Sequence, residues 1–197
     1  AIGLIGLTGL RQLKSQLSSI YDESTVGVSH VAVSSTNLSL YHNALLSVVD
    51  QKQKGDFDEA IIPLAELKKR TLAPLETYRP SATHETVDGR RDGQELDVLI
   101  FTLKEYFASA ESAVGALNDS FDSSLTDEQR QSMRELGAMV LSTEVALWHG
   151  RSAWRFQGVA QLIRDLASEL NDNGQSMAIH LTKVMLGAAA VALLLAI

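Results

Sequence analysis

The chain contains no cysteine, and this absence removes several kinds of chemistry at once. Without thiols there is no disulfide, no thiolate metal site and no cysteine nucleophile. The sequence also lacks a glycine-rich phosphate loop, a His-Glu-x-x-His zinc motif and a Gly-x-Ser-x-Gly nucleophile elbow. It has no Glu-x-x-His, which di-metal carboxylate bundles use. The sequence therefore predicts a protein that is not an enzyme, with no catalytic residue, no metal and no cofactor.

Proline is scarce as well, with three residues in a chain of 197. Because helix-favouring residues are plentiful and no β-hairpin signal is present, the composition favours helix. A hydrophobic content of 45% and a charged content of 21% are ordinary for one globular domain. The net charge of −7 and the lack of a basic stripe argue against nucleic acid as a partner.

Both ends of the chain are apolar. No charge precedes Arg11, and none follows Lys183. A helix that crosses a bilayer needs roughly 20 apolar residues, and each run is shorter than that. We expect each run to be part of a transmembrane helix that the end of the chain cuts. The expected division is the end of a first transmembrane helix, a domain outside the membrane and the start of a second transmembrane helix, at residues 1–9, 10–180 and 181–197.

The apolar residues between the ends form four helical seams. In the first segment they follow a heptad repeat, with a positions at 10, 17, 24, 31, 38 and 45 and d positions three residues later. A polar stretch from Arg79 to Gly93 predicts a loop. Asp56 with Glu59 predicts a helix cap after Gly55. Thr126 with Gln129 predicts a capping box. The expected helices are 5–53, 57–79, 94–120 and 126–195.

Two long outer helices and two short inner ones predict an all-α fold. The predicted architecture is an antiparallel up-down-up-down four-helix bundle whose first and fourth helices continue into transmembrane helices. The seam of the first helix is longer than the inner helices can cover, which predicts a homodimer formed through that helix. Strand beyond a few residues is not expected.

A belt of polar and aromatic residues is the candidate binding site. If residues 10 and 178 mark the membrane-side ends of the outer helices, His42 and His149 lie at similar heights, roughly 48 and 44 Å along helices that rise 1.5 Å per residue. Arg151 and Arg155 are one turn apart and could hold a carboxylate together. The alternative is that these residues are ordinary core aromatics and solvated surface groups. The predicted ligand-binding residues are Tyr41, His42, Trp148, His149, Arg151 and Arg155.

Two stretches carry a resemblance to a known family. Residues 17–26 read Leu-Ser-Ser-Ile-Tyr-Asp-Glu-Ser-Thr-Val, and residues 34–43 read Ser-Ser-Thr-Asn-Leu-Ser-Leu-Tyr-His-Asn. Together with the helix layout they resemble the periplasmic four-helix-bundle domain of a bacterial methyl-accepting chemotaxis receptor. The resemblance implies a homodimeric receptor in the inner membrane that binds a small molecule in the periplasm and transmits the signal through its fourth helix.

Other hypotheses remain open at this point. The same sensor module occurs on membrane diguanylate cyclases and histidine kinases. In the aspartate-receptor branch, arginines of the first helix clamp the ligand, but this chain has no Lys or Arg between Lys14 and Lys52. An organic acid or aromatic acid is therefore expected instead of aspartate. From a different class, the chain could be a small membrane-active helical protein whose apolar ends insert into bilayers.

Overall fold

A computed structural model of the chain describes the backbone of residues 2–194 and the side chains of residues 25–172, with a few more side chains at 174, 176, 179, 182 and 183. Helix accounts for 86% of the molecule. The described part contains no strand, and its one β-bridge joins Glu85 to Arg91. The predicted all-α class is confirmed, as are four helices.

Each predicted helix is present, with ends shifted by a few residues. The first three helices are α1 (Ile2–Val49), α2 (Lys54–Tyr78) and α3 (Asp92–Asp119). A short 3₁₀-helix, Arg79–Ser81, follows α2. The fourth helix consists of three consecutive segments, which are α4 (Asp127–Val140), a π-helical segment (Leu141–Val145) and α5 (Ala146–Leu194).

Cap chemistry explains one helix start and not another. The predicted capping box opens α4, where the Gln129 N–H donates to Thr126 Oγ1 at 3.2 Å and the Thr126 N–H donates to Gln129 Oε1 at 2.9 Å. The prediction for α2 was wrong. Its N-cap residue is Gln53, which makes no side-chain cap bond, and Gly55 lies in the first turn of α2 instead of ending α1.

Helix α2 accommodates two prolines without ending. Proline has no N–H, so Pro74 leaves the Arg70 carbonyl without its usual helical donor. Asn37 of α1 supplies a replacement, because its Nδ2 donates to that carbonyl oxygen at 3.2 Å. The bond therefore links α1 to α2 at the position where the helix would otherwise lack a hydrogen bond.

The core lies where α1 contacts α2 and α5, and where α3 contacts α4 and α5. The heptad seam of α1 is buried from Val31 onward and joins this core, with members at Val31, Leu38, Tyr41, Leu45 and Val48. The seam that predicted a homodimer thus packs within the chain itself over these residues. A partner would have to use another face of α1.

The connection between α2 and α3 is tied to both neighbouring helices. Asp92, which is buried, accepts the backbone N–H of His84 at 2.9 Å and that of Gly93 at 2.7 Å. Arg90 reaches across to Asp165 of α5 at 3.3 Å. These bonds hold the predicted loop against α5 and place Arg90 beside that helix.

The π-helical segment keeps one side of the fourth helix facing the core. One row of positions spaced by four residues faces the interior. It consists of three buried residues and one half-buried residue, Gly137, Leu141, Val145 and His149. In an α-helix of 3.6 residues per turn, each step of four drifts by about 40° around the axis. The wider π-helical turn offsets this drift, so His149 still points toward α1.

Within the described residues, no helix has a stretch that is both long enough and apolar enough to cross a membrane. The predicted transmembrane segments, 1–9 and 181–197, lie almost entirely outside the described side chains and remain predictions.

Candidate ligand-binding site

His42 of α1 and His149 of α5 form the centre of the predicted belt. Their rings are stacked, with centroids 3.8 Å apart and an angle of 7° between the ring planes. Both side chains are half-buried. Height matching from the helical rise thus identified two residues that are in contact. This stack directly joins the two long outer helices.

Tyr106 of α3 completes this contact. Its hydroxyl lies 3.1 Å from His42 Nδ1, and its ring centroid is 5.9 Å from that of His149. Burial raises the pKa of the Tyr106 phenol well above its usual range, and nearby Tyr41 adds to the rise. The phenol therefore keeps its proton. It donates to Nδ1 when the proton of neutral His42 is on Nε2, and it accepts from Nδ1–H in the other tautomer.

The surroundings of both imidazoles disfavour the protonated form. Burial lowers the pKa of His42, and the charge that His149 carries when protonated lowers it further. Burial also lowers the pKa of His149. Protonation of one ring would place a charge in a half-buried position, and protonation of both would bring like charges together across the stack. The contact between α1 and α5 is therefore sensitive to acid.

Tyr41 is buried and points into the core, as its d position predicted. It meets Phe107 edge-on at 4.8 Å and Tyr106 at 5.7 Å between ring centroids. Burial, with a smaller effect of the Glu111 carboxylate, raises the pKa of its phenol. Tyr41 also borders a groove of about 220 Å³ between α2 and α3, beside the Lys68–Glu111 ion pair at 2.6 Å.

The two predicted arginines take separate positions. Arg151 is exposed and its guanidinium carbon lies 4.7 Å from the ring centroid of Trp148, which packs against the core. Arg155 stacks at 4.8 Å on a different indole, that of Trp154, and its Nη1 lies 3.3 Å from Glu95 of α3. The two guanidiniums stack on different indoles, and their joint binding of a carboxylate stays a prediction.

Arg155 borders a second cavity that the sequence did not indicate. It is a cleft of about 200 Å³ between α3, α5 and the α2–α3 connection. Trp154 on its rim is 65% exposed, which is unusual for a tryptophan. The cleft is lined by Arg90, Glu95, Trp154, Arg155, Gly158 and Leu162.

Tyr106 and Glu95 are the main residues that the sequence analysis missed. The signal for Tyr106 was present, since Leu99, Tyr106 and Ala113 are buried at heptad spacing. Ile100 and Val114, one position further along α3, are half-buried and extend the same apolar face. Glu95 had no signal, because its role depends on how α3 and α5 pack together.

Among the described residues, no group of three or more His, Asp or Glu side chains is arranged to hold a metal ion. Comparison of the chain with protein families, curated proteins and solved structures finds no significant match. The functional argument therefore rests on the chain's own residues and their geometry.

Proposed function

We propose that this chain is the periplasmic ligand-sensing domain of a bacterial transmembrane chemoreceptor of the methyl-accepting type. In this proposal its helices form an up-down-up-down bundle, and α1 and the fourth helix continue into the inner membrane. The domain binds a small organic acid and has no catalytic activity of its own. The observation that carries the proposal is the stack of His42 on His149, because it joins the two helices that would transmit the signal.

The nature of this contact supports a signalling role. Aromatic pairs contribute only about 0.5–1.5 kcal/mol beyond their buried area, so the stack is a weak and polar contact within an apolar seam. A ligand shifts an equilibrium by as much as its affinities for the two states differ. A difference of a few kcal/mol between a ligand's affinities for the two states is therefore comparable to the contribution of this stack.

The preference for an acid is supported by the arginines of α5. Helix α1 offers no Lys or Arg between Lys14 and Lys52, so an aspartate-type clamp on α1 is not part of the proposal. Arg151 and Arg155 are the cations of the belt. Charge-assisted hydrogen bonds from a guanidinium to a carboxylate are among the stronger contacts available to a protein.

The proposal includes a homodimer that pairs through the outer face of α1. Val26, Val33 and Leu40 recur at heptad spacing on this helix and are 50%, 47% and 51% exposed. Residues 24–49 contain no Lys, Arg, Asp or Glu, which is unusual for a solvated helix face. The same stripe on a second copy of the chain fits this surface, because it has the same heptad spacing and also lacks charged residues.

A thermal-shift screen of the whole chain against organic acids and aromatic acids tests the binding proposal. A true ligand at 100 times its dissociation constant should stabilise the folded state by about 2.7 kcal/mol. Truncation of an arginine that pairs the carboxylate, tested separately as Arg151→Ala and Arg155→Ala, should cost about 1.5–3 kcal/mol of binding free energy. Arg164→Ala is the control, since Arg164 is exposed and its Nε donates to the Ala160 carbonyl of its own helix at 3.0 Å.

Other outcomes separate the alternatives. If no acid in the panel raises the melting temperature, direct sensing of an acid is wrong. Consumption of any acid by the chain would contradict the absence of catalysis. Release of dye from phospholipid vesicles by the purified chain would favour the membrane-active hypothesis. Binding alone would fit a diguanylate cyclase or histidine kinase equally, because these share the sensor module.

A further inference from the structure

The cleft beside Trp154 has the features of a small binding site. Trp154 is 65% exposed although its indole is among the largest apolar groups in the chain. Leu162, which also lines the cleft and lies about two turns further along α5, is buried. The exposed indole gives the cleft an apolar surface, and burial of that surface under a ligand ring would be favourable.

Arg155 provides the charged group of the cleft. A guanidinium has five N–H donors, and the hydrogen bond of Arg155 to Glu95 is long, at 3.3 Å. Its guanidinium carbon also lies 4.8 Å from the ring centroid of Trp154, so a ligand ring would share that indole with it. Within the described part of the chain no other acceptor contacts Arg155. Arg90, on the opposite rim, is already held by Asp88 at 2.9 Å and Asp165 at 3.3 Å. Arg155 is therefore the cation whose N–H donors can bind a ligand, whereas Arg90 forms part of the wall of the cleft.

Gly158 keeps the cleft open. It lies inside α5, where glycine costs about 0.5–1 kcal/mol relative to alanine. No atom lies within 4 Å of the position that a Cβ would occupy at Gly158, so the packing of the chain does not require a glycine at this position. Because Gly158 lines the cleft, a side chain there would project into the space that a ligand needs.

The size of the cleft limits its occupant. Its volume of about 200 Å³ is below the 300–1,000 Å³ of pockets for drug-sized ligands. We propose that this cleft binds a carboxylate that carries a single aromatic ring. The ring packs against Trp154 and Leu162, and the carboxylate takes the place of Glu95 on Arg155. This inference rests on the proposed acid-sensing function and names its ligand class and its site.

Calorimetry of the whole chain with benzoate tests the inference. Gly158→Leu should weaken benzoate binding at least tenfold, since the leucine occupies the cleft. Gly150→Leu is the matched control, because Gly150 is also an α5 glycine with no atom within 4 Å of its Cβ position, and it does not line the cleft. Leucine favours helix over glycine at both positions, so both variants should fold.

Two further variants examine the charge. Glu95→Gln removes the internal competitor for Arg155 and should tighten benzoate binding several-fold. Arg155→Gln should weaken it about tenfold or more, and benzamide, which lacks the carboxylate charge, should bind as weakly to the unaltered chain. A Trp148→Phe variant leaves Trp154 as the single tryptophan, and its fluorescence should change when benzoate binds.

The outcomes distinguish this inference from the proposed function. If benzoate binds and Gly158→Leu has no effect beyond that of Gly150→Leu, the cleft is not the site, while acid sensing stands. If succinate binds as tightly as benzoate and Gly158→Leu weakens both, the aromatic class is wrong. If benzamide equals benzoate, the role of Arg155 is wrong. If no organic acid binds at all, the proposed function fails together with this inference.

Discussion

The stacked imidazoles of His42 and His149 make the stability of the fold depend on pH. The pKa of each is lowered below the ordinary histidine value of 6.5, which represents the unfolded chain. At a pH between the folded-state pKa and the unfolded-state pKa of each histidine, the unfolded chain therefore binds more protons than the folded chain. The free energy of unfolding contributed by the pair is fully present above pH 6.5 and falls as the pH decreases toward the folded pKa values.

Urea unfolding at about pH 7.5 and about pH 5 measures this effect against the other titrating groups. The unaltered chain should lose more stability between these two pH values than the double variant His42→Gln/His149→Gln. Each single variant should lie between them, because burial still opposes the charge of the remaining histidine. An identical loss in the unaltered chain and the double variant would contradict the assignment.

Asn37 is expected to stabilise the fold only because Pro74 is present. Asn37→Ala removes its hydrogen bond to the Arg70 carbonyl and should cost about 0.5–1.5 kcal/mol of unfolding free energy. In a Pro74→Ala background the restored N–H can bond the same carbonyl, so the cost should shrink. A double-mutant cycle by urea unfolding measures this coupling. The same cycle with Pro63→Ala is the control and should be additive, since Pro63 frees the carbonyl of Glu59 instead.

Among the helices, two glycines of the fourth helix predict opposite effects of the same substitution. A Cβ at Gly137 would lie 2.7 Å from Leu117 Cγ and 3.1 Å from the Ala113 carbonyl oxygen, so α3 and α4 would have to move apart. Overpacking of this kind costs typically about 1–3 kcal/mol. Gly150 has no atom within 4 Å of its Cβ position, so alanine there should stabilise the helix by about 0.5–1 kcal/mol.

Thermal denaturation of Gly137→Ala and Gly150→Ala checks the pair directly. The first variant should melt at a lower temperature than the unaltered chain and the second at a higher one. Because both changes improve helix propensity equally, a rise in both would mean that α3 and α4 are not as closely packed as the structure has them.

The helices, and the position of each residue along its helix axis, could be predicted from the sequence. The rotation of each helix about its axis and the contacts between helices could not. The fixed rise per residue placed His42 level with His149. The direction in which each histidine points depends on the rotation of its helix. The π-helical segment changes that rotation in the fourth helix, and no residue in the sequence signals it. The start of α2 was misplaced because a plausible cap at Asp56 competes with Gln53, which makes no cap bond. The partner of Arg155 required the packing of α3 on α5.

For the whole molecule, the exposed stripe on α1 predicts self-association that one charge can disrupt. Leu40 belongs to the heptad stripe, and Leu46 lies about 120° away around the same helix at six residues' distance. The two leucines are 51% and 48% exposed, so they are a matched pair. Leu40→Glu should leave the chain monomeric in sedimentation experiments, while Leu46→Glu should dimerise like the unaltered chain. Equal behaviour of the two variants would contradict pairing through this face.

The lack of charged residues between 24 and 49 also determines how such a dimer responds to its medium. Association driven by charge weakens as dissolved ions screen it, and the screening length falls from about 30 Å at 0.01 M to about 3 Å at 1 M salt. The pairing surface has no Lys, Arg, Asp or Glu whose ion pairs salt would weaken, and the net charge of −7 on each chain means that salt instead screens the repulsion between two copies. The dimer should therefore be at least as populated at about 1 M salt as at about 0.01 M salt, and sedimentation at the two concentrations measures this.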